Sequence, residues 1–165
     1  MLLRDRTVCE GPPISDHPDE FAHFVAAQQP VYAQVLRELA AGRKYSHWMW
    51  FIFPQVGGLG RSSMSRRFAL DSVDQARRYL AHPLLGPRLR ECTTLVLNMR
   101  GGTIEDVFGH VDGLKFHACM TLFSLCSEPD SLFAQALARF FAGAPHEQTM
   151  DLLGLGHDRS SSGCV

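Results

Sequence analysis

The sequence predicts a single all-α domain of about eight or nine short helices with no sheet. Apolar residues recur at helical spacing along most of the chain. No segment shows the alternating pattern of a half-buried strand, and no short turn of the kind that closes a hairpin separates two such segments. Proline and glycine pairs interrupt the apolar segments at short intervals, which limits each helix to a few turns.

The predicted helical domain extends from residue 16 to residue 154. We interpret residues 1–15 and 155–165 as flexible tails, because they lack periodic apolar positions. A length of 165 residues with 45% hydrophobic content fits one globular domain. No apolar run approaches the roughly 18 residues of a membrane span, and the first residues lack the hydrophobic region of a signal peptide. We therefore expect a cytoplasmic protein with no membrane association, in which five scattered cysteines are free thiols.

The first part of the domain is predicted to contain two or three helices. Asp16 has the position of a capping residue, and Pro30 divides or kinks the helical pattern that Gly42 closes. The segment Trp48–Phe53 is apolar on every side, so periodicity alone does not distinguish a buried strand from a buried helical turn. We predict a short buried helix that Pro54 ends, because the chain offers no clear partner strand.

The rest of the domain is predicted from capping residues and helix breakers. The predicted helix starts are Ser62 or Ser63, Ser72, Gly86, Thr103, Leu114, Asp130 and His146. The corresponding ends are Leu70, His82, Gly101, Gly109, Cys126, Gly143 and Leu153.

The stretch Lys44–Leu70 is the main candidate for a functional site. It holds both tryptophans, then turns at Pro54 and three glycines, and continues with serines and arginines. Backbone donors ahead of a helix start, beside an aromatic anchor and cations, suit a phosphate group. We therefore predict binding of a small anionic ligand, phosphorylated or nucleotide-like, by His47, Trp48, Trp50, Gln55, Arg61, Ser62 and Lys115. The residues indicate neither a reaction nor catalytic groups.

Each feature also has a structural interpretation. The glycines fit a simple turn after a helix, and Lys115 has Asp112 one turn earlier as a local ion-pair partner. Trp48 and Trp50 diverge by about 200° on a helix, so one can pack inward while the other lines a pocket. A second hypothesis is therefore a non-enzymatic helical module whose aromatic stretch binds a partner or forms a homodimer.

Several function classes are disfavoured. The eight histidines are widely separated, so we predict no metal site, and no cofactor is indicated. There is no GxSxG motif, and Cys119 and Cys126 lie in an apolar segment typical of buried structural cysteines. A net charge of −1 argues against general nucleic-acid binding, although the basic residues concentrate between Leu39 and Arg90.

Several motifs carry a resemblance to a known family, beginning with the very specific string HWMWFIFPQ at residues 47–55. The others are GLGRSSMSRRFAL at 58–70, YLAHPLLGPRLRE at 79–91, DGLK at 112–115, MTLF at 120–123 and RFFAG at 139–143. Together they resemble the domain of unknown function 1810 family, whose bacterial members have sometimes been labelled calpastatin in error.

The resemblance extends from about Asp19 to Gly154 and implies an all-helical domain. It brings no established activity and so supplies no catalytic residues. The chain departs from the family pattern between Lys115 and Met120, where Leu-Arg-Ser-Ser is common and Phe-His-Ala-Cys stands here.

Overall fold

The computed structural model describes residues 19–156, which form nine α-helices and no strand. The prediction of an all-α fold is confirmed over this range. Asp16, the whole predicted N-terminal tail (residues 1–15) and residues 157–165 of the predicted C-terminal tail lie outside this range. The helices are α1 Ala22–Gln28, α2 Tyr32–Ala40, α3 Met49–Ile52, α4 Ser63–Arg67, α5 Val73–Ala81, α6 Leu85–Leu97, α7 Ile104–Ser124, α8 Leu132–Phe141 and α9 Glu147–Leu152.

The first three helices follow the predicted pattern. Pro30 separates α1 from α2, and Gly42 follows α2 with a φ of 74° that favours glycine. The central tract is a helix of four residues, as predicted, and the flanking Trp48 and Phe53 are each only 1% exposed. This short element lies in the core because its apolar side chains point in all directions and every one of them needs a neighbour.

The glycine loop between α3 and α4 is tied to the segment that follows α4. The amide of Leu70 donates to the carbonyl of Gln55, and the amide of Gly57 donates back to Leu70. These bonds form an isolated parallel bridge between Val56 and Leu70. One backbone donor of the loop is therefore already used within the fold.

Helix α7 is longer than the sequence indicates. Thr103 and Asp106 form the predicted capping box at its start. Gly109 adopts φ 78° and ψ 171°, which breaks the helix as predicted, but the chain resumes helical geometry at once rather than at Leu114. The reason is that a single glycine can absorb the change of direction, so no connecting loop is needed.

The second half of the chain packs around α7. Its buried side chains include Phe116 and Phe123, and the ring of Phe123 packs on Tyr79 of α5 and on Phe133 of α8. No helix within residues 19–156 is both long and apolar enough to cross a membrane.

The capping residue of α8 and the burial of Cys126 differ from the predictions. Asp130 was the predicted cap of α8, but Ser131 performs that role by accepting a hydrogen bond from the amide of Ala134. The serine oxygen can do this because it immediately precedes the first helical residue. Cys119 is fully buried as predicted, while Cys126 is only half-buried; both are free thiols.

Candidate functional site

The segment between α2 and α3 is held in place by the carboxylate of Glu38. This side chain of α2 accepts hydrogen bonds from the amides of Tyr45 and Ser46 at 2.9 and 3.1 Å, and from the indole Nε1 of Trp48 at 2.8 Å. The hydroxyl of Ser46 and the side-chain amide of Gln34 donate to the other carboxylate oxygen. Glu38 is only 7% exposed, so these donors replace the water that burial removes.

The hydrogen bonds also keep Glu38 ionised. Burial acts to raise the pKa of this carboxyl, but the bonds from Ser46, Tyr45 and Trp48 outweigh burial and lower the pKa to about 2. Trp48 therefore has both its ring and its polar edge satisfied inside the fold. Because it is enclosed, Trp48 cannot provide a stacking surface for a ligand, contrary to its prediction as a ligand-binding residue.

Lys44 lies in the same segment and reaches across to α7. Its amide donates to the carbonyl of Val107 at 2.8 Å, and its ammonium nitrogen lies 2.7 Å from Asp112 Oδ2. The same nitrogen is 5.2 Å from the centre of the Trp48 ring, within the range of a cation–π contact.

Lys115 makes the matching contacts on the other tryptophan. Its ammonium nitrogen is 2.9 Å from Asp112 Oδ1 and 4.8 Å from the centre of the half-buried Trp50 ring. The predicted local pair between Asp112 and Lys115 is thus present, with Lys44 as an additional partner. We call Lys44, Asp112, Lys115 and Trp50 the lysine cluster.

The lysine cluster carries more positive than negative charge. Two ammonium groups contact one carboxylate, and the exposed fractions of the Lys44, Asp112 and Lys115 side chains are 8%, 19% and 20%. Burial acts to raise the pKa of Asp112, but hydrogen bonds from both lysines outweigh it and hold that pKa below its usual range. The carboxylate therefore stays ionised, and one positive charge remains uncompensated within the cluster.

The other predicted site residues do not join this cluster through hydrogen bonds. Ser62 accepts from the amide of Ser65 and so caps α4, and Gln55 is buried at 8% exposure. His47 and Arg61 are exposed. Within residues 19–156, no hydrogen bond or ion pair links Arg61 or Ser62 to Lys115. The structure thus brings together Trp50 and Lys115, but the glycine loop makes its own local contacts.

Lys44 and Glu38 belong to the site but were not among the predicted site residues, although the sequence contains a signal for each. The chain contains only two lysines, Lys44 and Lys115, and all its other basic side chains are arginines. Glu38 is an acid on the apolar face of α2, beside the buried Val35 and Leu39. An acid at such a position needs internal partners, which identifies it as a structural hub.

The site contains no arrangement of metal ligands. Within the described part of the chain, no group of three histidine, cysteine, aspartate or glutamate side chains could hold a metal ion. What the lysine cluster offers is a fixed positive charge beside an aromatic ring, which is chemistry for binding an anion.

Comparison with known proteins places this chain in a family. The chain is similar to the crystal structure of the conserved hypothetical protein Rv1873 from Mycobacterium tuberculosis, with 46% sequence identity and a TM-score of 0.81. That match covers 84% of this chain and 99% of the other. No curated protein matches the chain. A family model described as "Protein of unknown function (DUF1810)" matches residues 18–153, and the chain therefore belongs to the DUF1810 family.

Proposed function

We propose that the protein binds a small anionic ligand, phosphorylated or nucleotide-like, at Trp50 and Lys115. One observation carries this proposal: the only two lysines of the chain contact the same carboxylate, at 2.7 and 2.9 Å. An ion pair needs only one of them. The second ammonium group leaves a positive charge that an anion from solution would compensate.

The choice of side chain agrees with this role. Lysine presents a compact charge on a flexible stem that can contact a single phosphate oxygen, whereas the planar guanidinium of arginine is suited to bidentate contacts with carboxylate or phosphate. Asp112 orients the Lys115 ammonium group from one side, so little further ordering is needed when a ligand binds.

Trp50 supplies the aromatic part of the proposed site. Its ring is half-buried, in contrast to the enclosed Trp48, and it lies beside the Lys115 ammonium group. A base that stacks on an aromatic side chain gains about 1–3 kcal/mol. A nucleoside monophosphate could therefore use the ring and the ammonium group together.

Arg61 is the remaining candidate for a second cationic contact. It is exposed and has no hydrogen bond or ion pair within residues 19–156. The alternative is a helical module that uses its aromatic stretch as an interface. It has less support because Trp48, Phe51 and Phe53 are buried and do not form an exposed surface. We also propose a cytoplasmic location, which the free Cys92, Cys119 and Cys126 support.

Isothermal titration calorimetry with adenosine monophosphate, inorganic phosphate and adenosine tests the proposal. We expect saturable binding of the two anions and no binding of adenosine alone. Lys115→Met keeps the stem and removes the charge, so it should weaken the binding of adenosine monophosphate by about tenfold or more. The matched control Arg43→Met removes an exposed cation next to Lys44 and should leave binding unchanged. Equal affinity for adenosine and its monophosphate, or no effect of Lys115→Met, would overturn the proposal.

A further inference from the structure

A groove lies between the start of α7 and the end of α8, on residues outside the lysine cluster. It has a volume of about 320 Å³, which is at the lower end of the range for small-molecule sites. Its apolar wall consists of Ile104, Leu114, Phe140 and Phe141. Leu114 is 47% exposed, so an apolar side chain of this wall has no partner that covers it within the described chain.

The polar end of the groove, formed by Glu105 and His110, lies at the break at Gly109. The Nδ1 atom of His110, the first residue after the break, lies 2.9 Å from Oε1 of Glu105 in the first turn. Gly113 forms part of the lining, and a Cβ atom at that position would lie 3.1 Å from the side chain of Ile104. The glycine thus allows the two parts of α7 to approach closely.

The polar groups that line the groove are hydrogen-bond acceptors. A glutamate carboxylate accepts only, so Nδ1 of His110 carries the proton that it donates to Glu105. In a neutral imidazole, this hydrogen bond leaves Nε2 of His110 with a free lone pair. The hydroxyl of Thr103 donates to Oδ2 of Asp106 and is thereby left with acceptor capacity only.

The charge of the lining also favours a ligand that donates hydrogen bonds. Glu105 contributes a carboxylate, and the lining contains neither lysine nor arginine. Arg139 lies near the groove, over the Phe140 ring at 4.9 Å, but it donates to the carbonyl of Met99 at 2.7 Å. A ligand with a positive charge would complement the carboxylate of Glu105 in this lining.

We propose that the groove binds a small organic amine with an apolar or aromatic body. The ammonium group donates to the carboxylate of Glu105, and the body packs against Leu114, Phe140 and Phe141. This site is separate from the lysine cluster, takes a ligand of the opposite charge, and does not depend on anion binding there.

Three probes with the same carbon skeleton separate charge from apolar contact. The full-length protein is titrated with 2-phenylethylamine, 2-phenylethanol and phenylacetate at pH 8, where a free imidazole is neutral and an aliphatic amine is protonated. We expect saturable binding of the amine, and affinities at least about tenfold weaker for the alcohol and the acid. Equal affinities for the three probes, or no saturation by the amine in the millimolar range, would overturn the proposal.

Two pairs of variants locate the amine. Glu105→Gln should weaken its binding by about tenfold or more, while the exposed Glu128→Gln, outside the groove, should not. Leu114→Ser should also weaken binding, whereas Val111→Ser alters an exposed apolar residue of the same helix that does not line the groove. All four positions are exposed, so each variant should fold. Unchanged affinity in both Glu105→Gln and Leu114→Ser would show that the amine binds elsewhere.

Discussion

The ammonium group of Lys115 lies 4.8 Å from the centre of the Trp50 ring while it contacts Asp112 at 2.9 Å. Lys44 has the same relationship to Trp48, at 5.2 Å from that ring and 2.7 Å from the other oxygen of Asp112. The two lysines differ in access to solvent, because the Lys44 side chain is 8% exposed and that of Lys115 is 20% exposed. We therefore assign Lys44 a structural role, and Lys115 is the lysine that a ligand can reach more easily.

Substitution of the two lysines should lower the stability of the protein to different extents. Lys44→Met removes a largely buried partner of Asp112 and should lower the free energy of unfolding by about 2–3 kcal/mol. Lys115→Met should lower it by about 1 kcal/mol or less, because solvent screens that pair more strongly. Urea unfolding followed by tryptophan fluorescence measures both values. Equal losses would contradict the assignment of different roles.

Glu38→Gln should destabilise the segment that carries Lys44. The amide that replaces the carboxylate would place its own donor among the donors of Tyr45, Ser46 and Trp48, so at least one buried group loses its partner. We expect a loss of about 2–3 kcal/mol in the free energy of unfolding. Chemical denaturation of this variant, with the exposed Glu128→Gln as the control, checks the expectation. A loss no larger than that of the control would show that Glu38 is not a structural hub.

The local features of the fold were predictable from sequence because each depends on residues close together in the chain. Ser72 and Thr103 cap helices by accepting from amides three residues later. The pair of Asp112 and Lys115 is likewise one helical turn long. By contrast, the choice of Ser131 over Asp130 as a cap depends on which residue is the last outside the helix, and composition does not decide that.

The site was only partly predictable because its contacts cross the fold. The contact between Lys44 and Asp112 requires the segment before α3 to dock on α7, and that docking depends on Glu38 of a third element. The helical spacing of Trp48 and Trp50 allows the two tryptophans to have different environments, although both were predicted to bind the ligand. The spacing did not indicate which one is enclosed, because that depends on the partner of the indole nitrogen of Trp48.

The glycine loop should tolerate substitution at one position and not at another. A Cβ atom at residue 60 would lie 2.5 Å from both side-chain atoms of Ser65, so Gly60→Ala should lower the free energy of unfolding by about 1–3 kcal/mol. Gly57→Ala is the matched control, because its Cβ would meet neighbours at ordinary distances of 3.5 Å or more. Thermal denaturation of the two variants should give a clearly lower midpoint for Gly60→Ala alone. Equal midpoints would indicate that the loop can move away from α4.

The pH dependence of stability should reflect His146, which caps α9. Its Nδ1 atom accepts from the amide of Thr149, and this requires a neutral imidazole. Burial, followed by the nearby His117, lowers the pKa of His146 against an opposing effect of Glu147. The unfolded chain therefore binds more protons, so this contribution is complete above about pH 6.5 and is lost as the pH falls.

The variant His146→Asn tests this dependence because asparagine retains a capping oxygen without titrating. Its stability should decrease less than that of the natural chain as the pH is lowered from about 7 to about 5. His47→Asn, at an exposed position, should retain the original dependence. The same pH dependence in His146→Asn and in the natural chain would exclude His146 as its source.

The most direct test of anion binding at the lysine cluster uses the fact that the chain has two lysines. Incorporation of lysine labelled with ¹³C at the ε-carbon gives two side-chain signals, which Lys44→Arg and Lys115→Arg assign. On titration with adenosine monophosphate, we predict a saturable shift of the Lys115 signal with a smaller change at Lys44, and no shift with adenosine. If neither signal moves, or if adenosine moves the Lys115 signal equally, the lysine cluster is not an anion site.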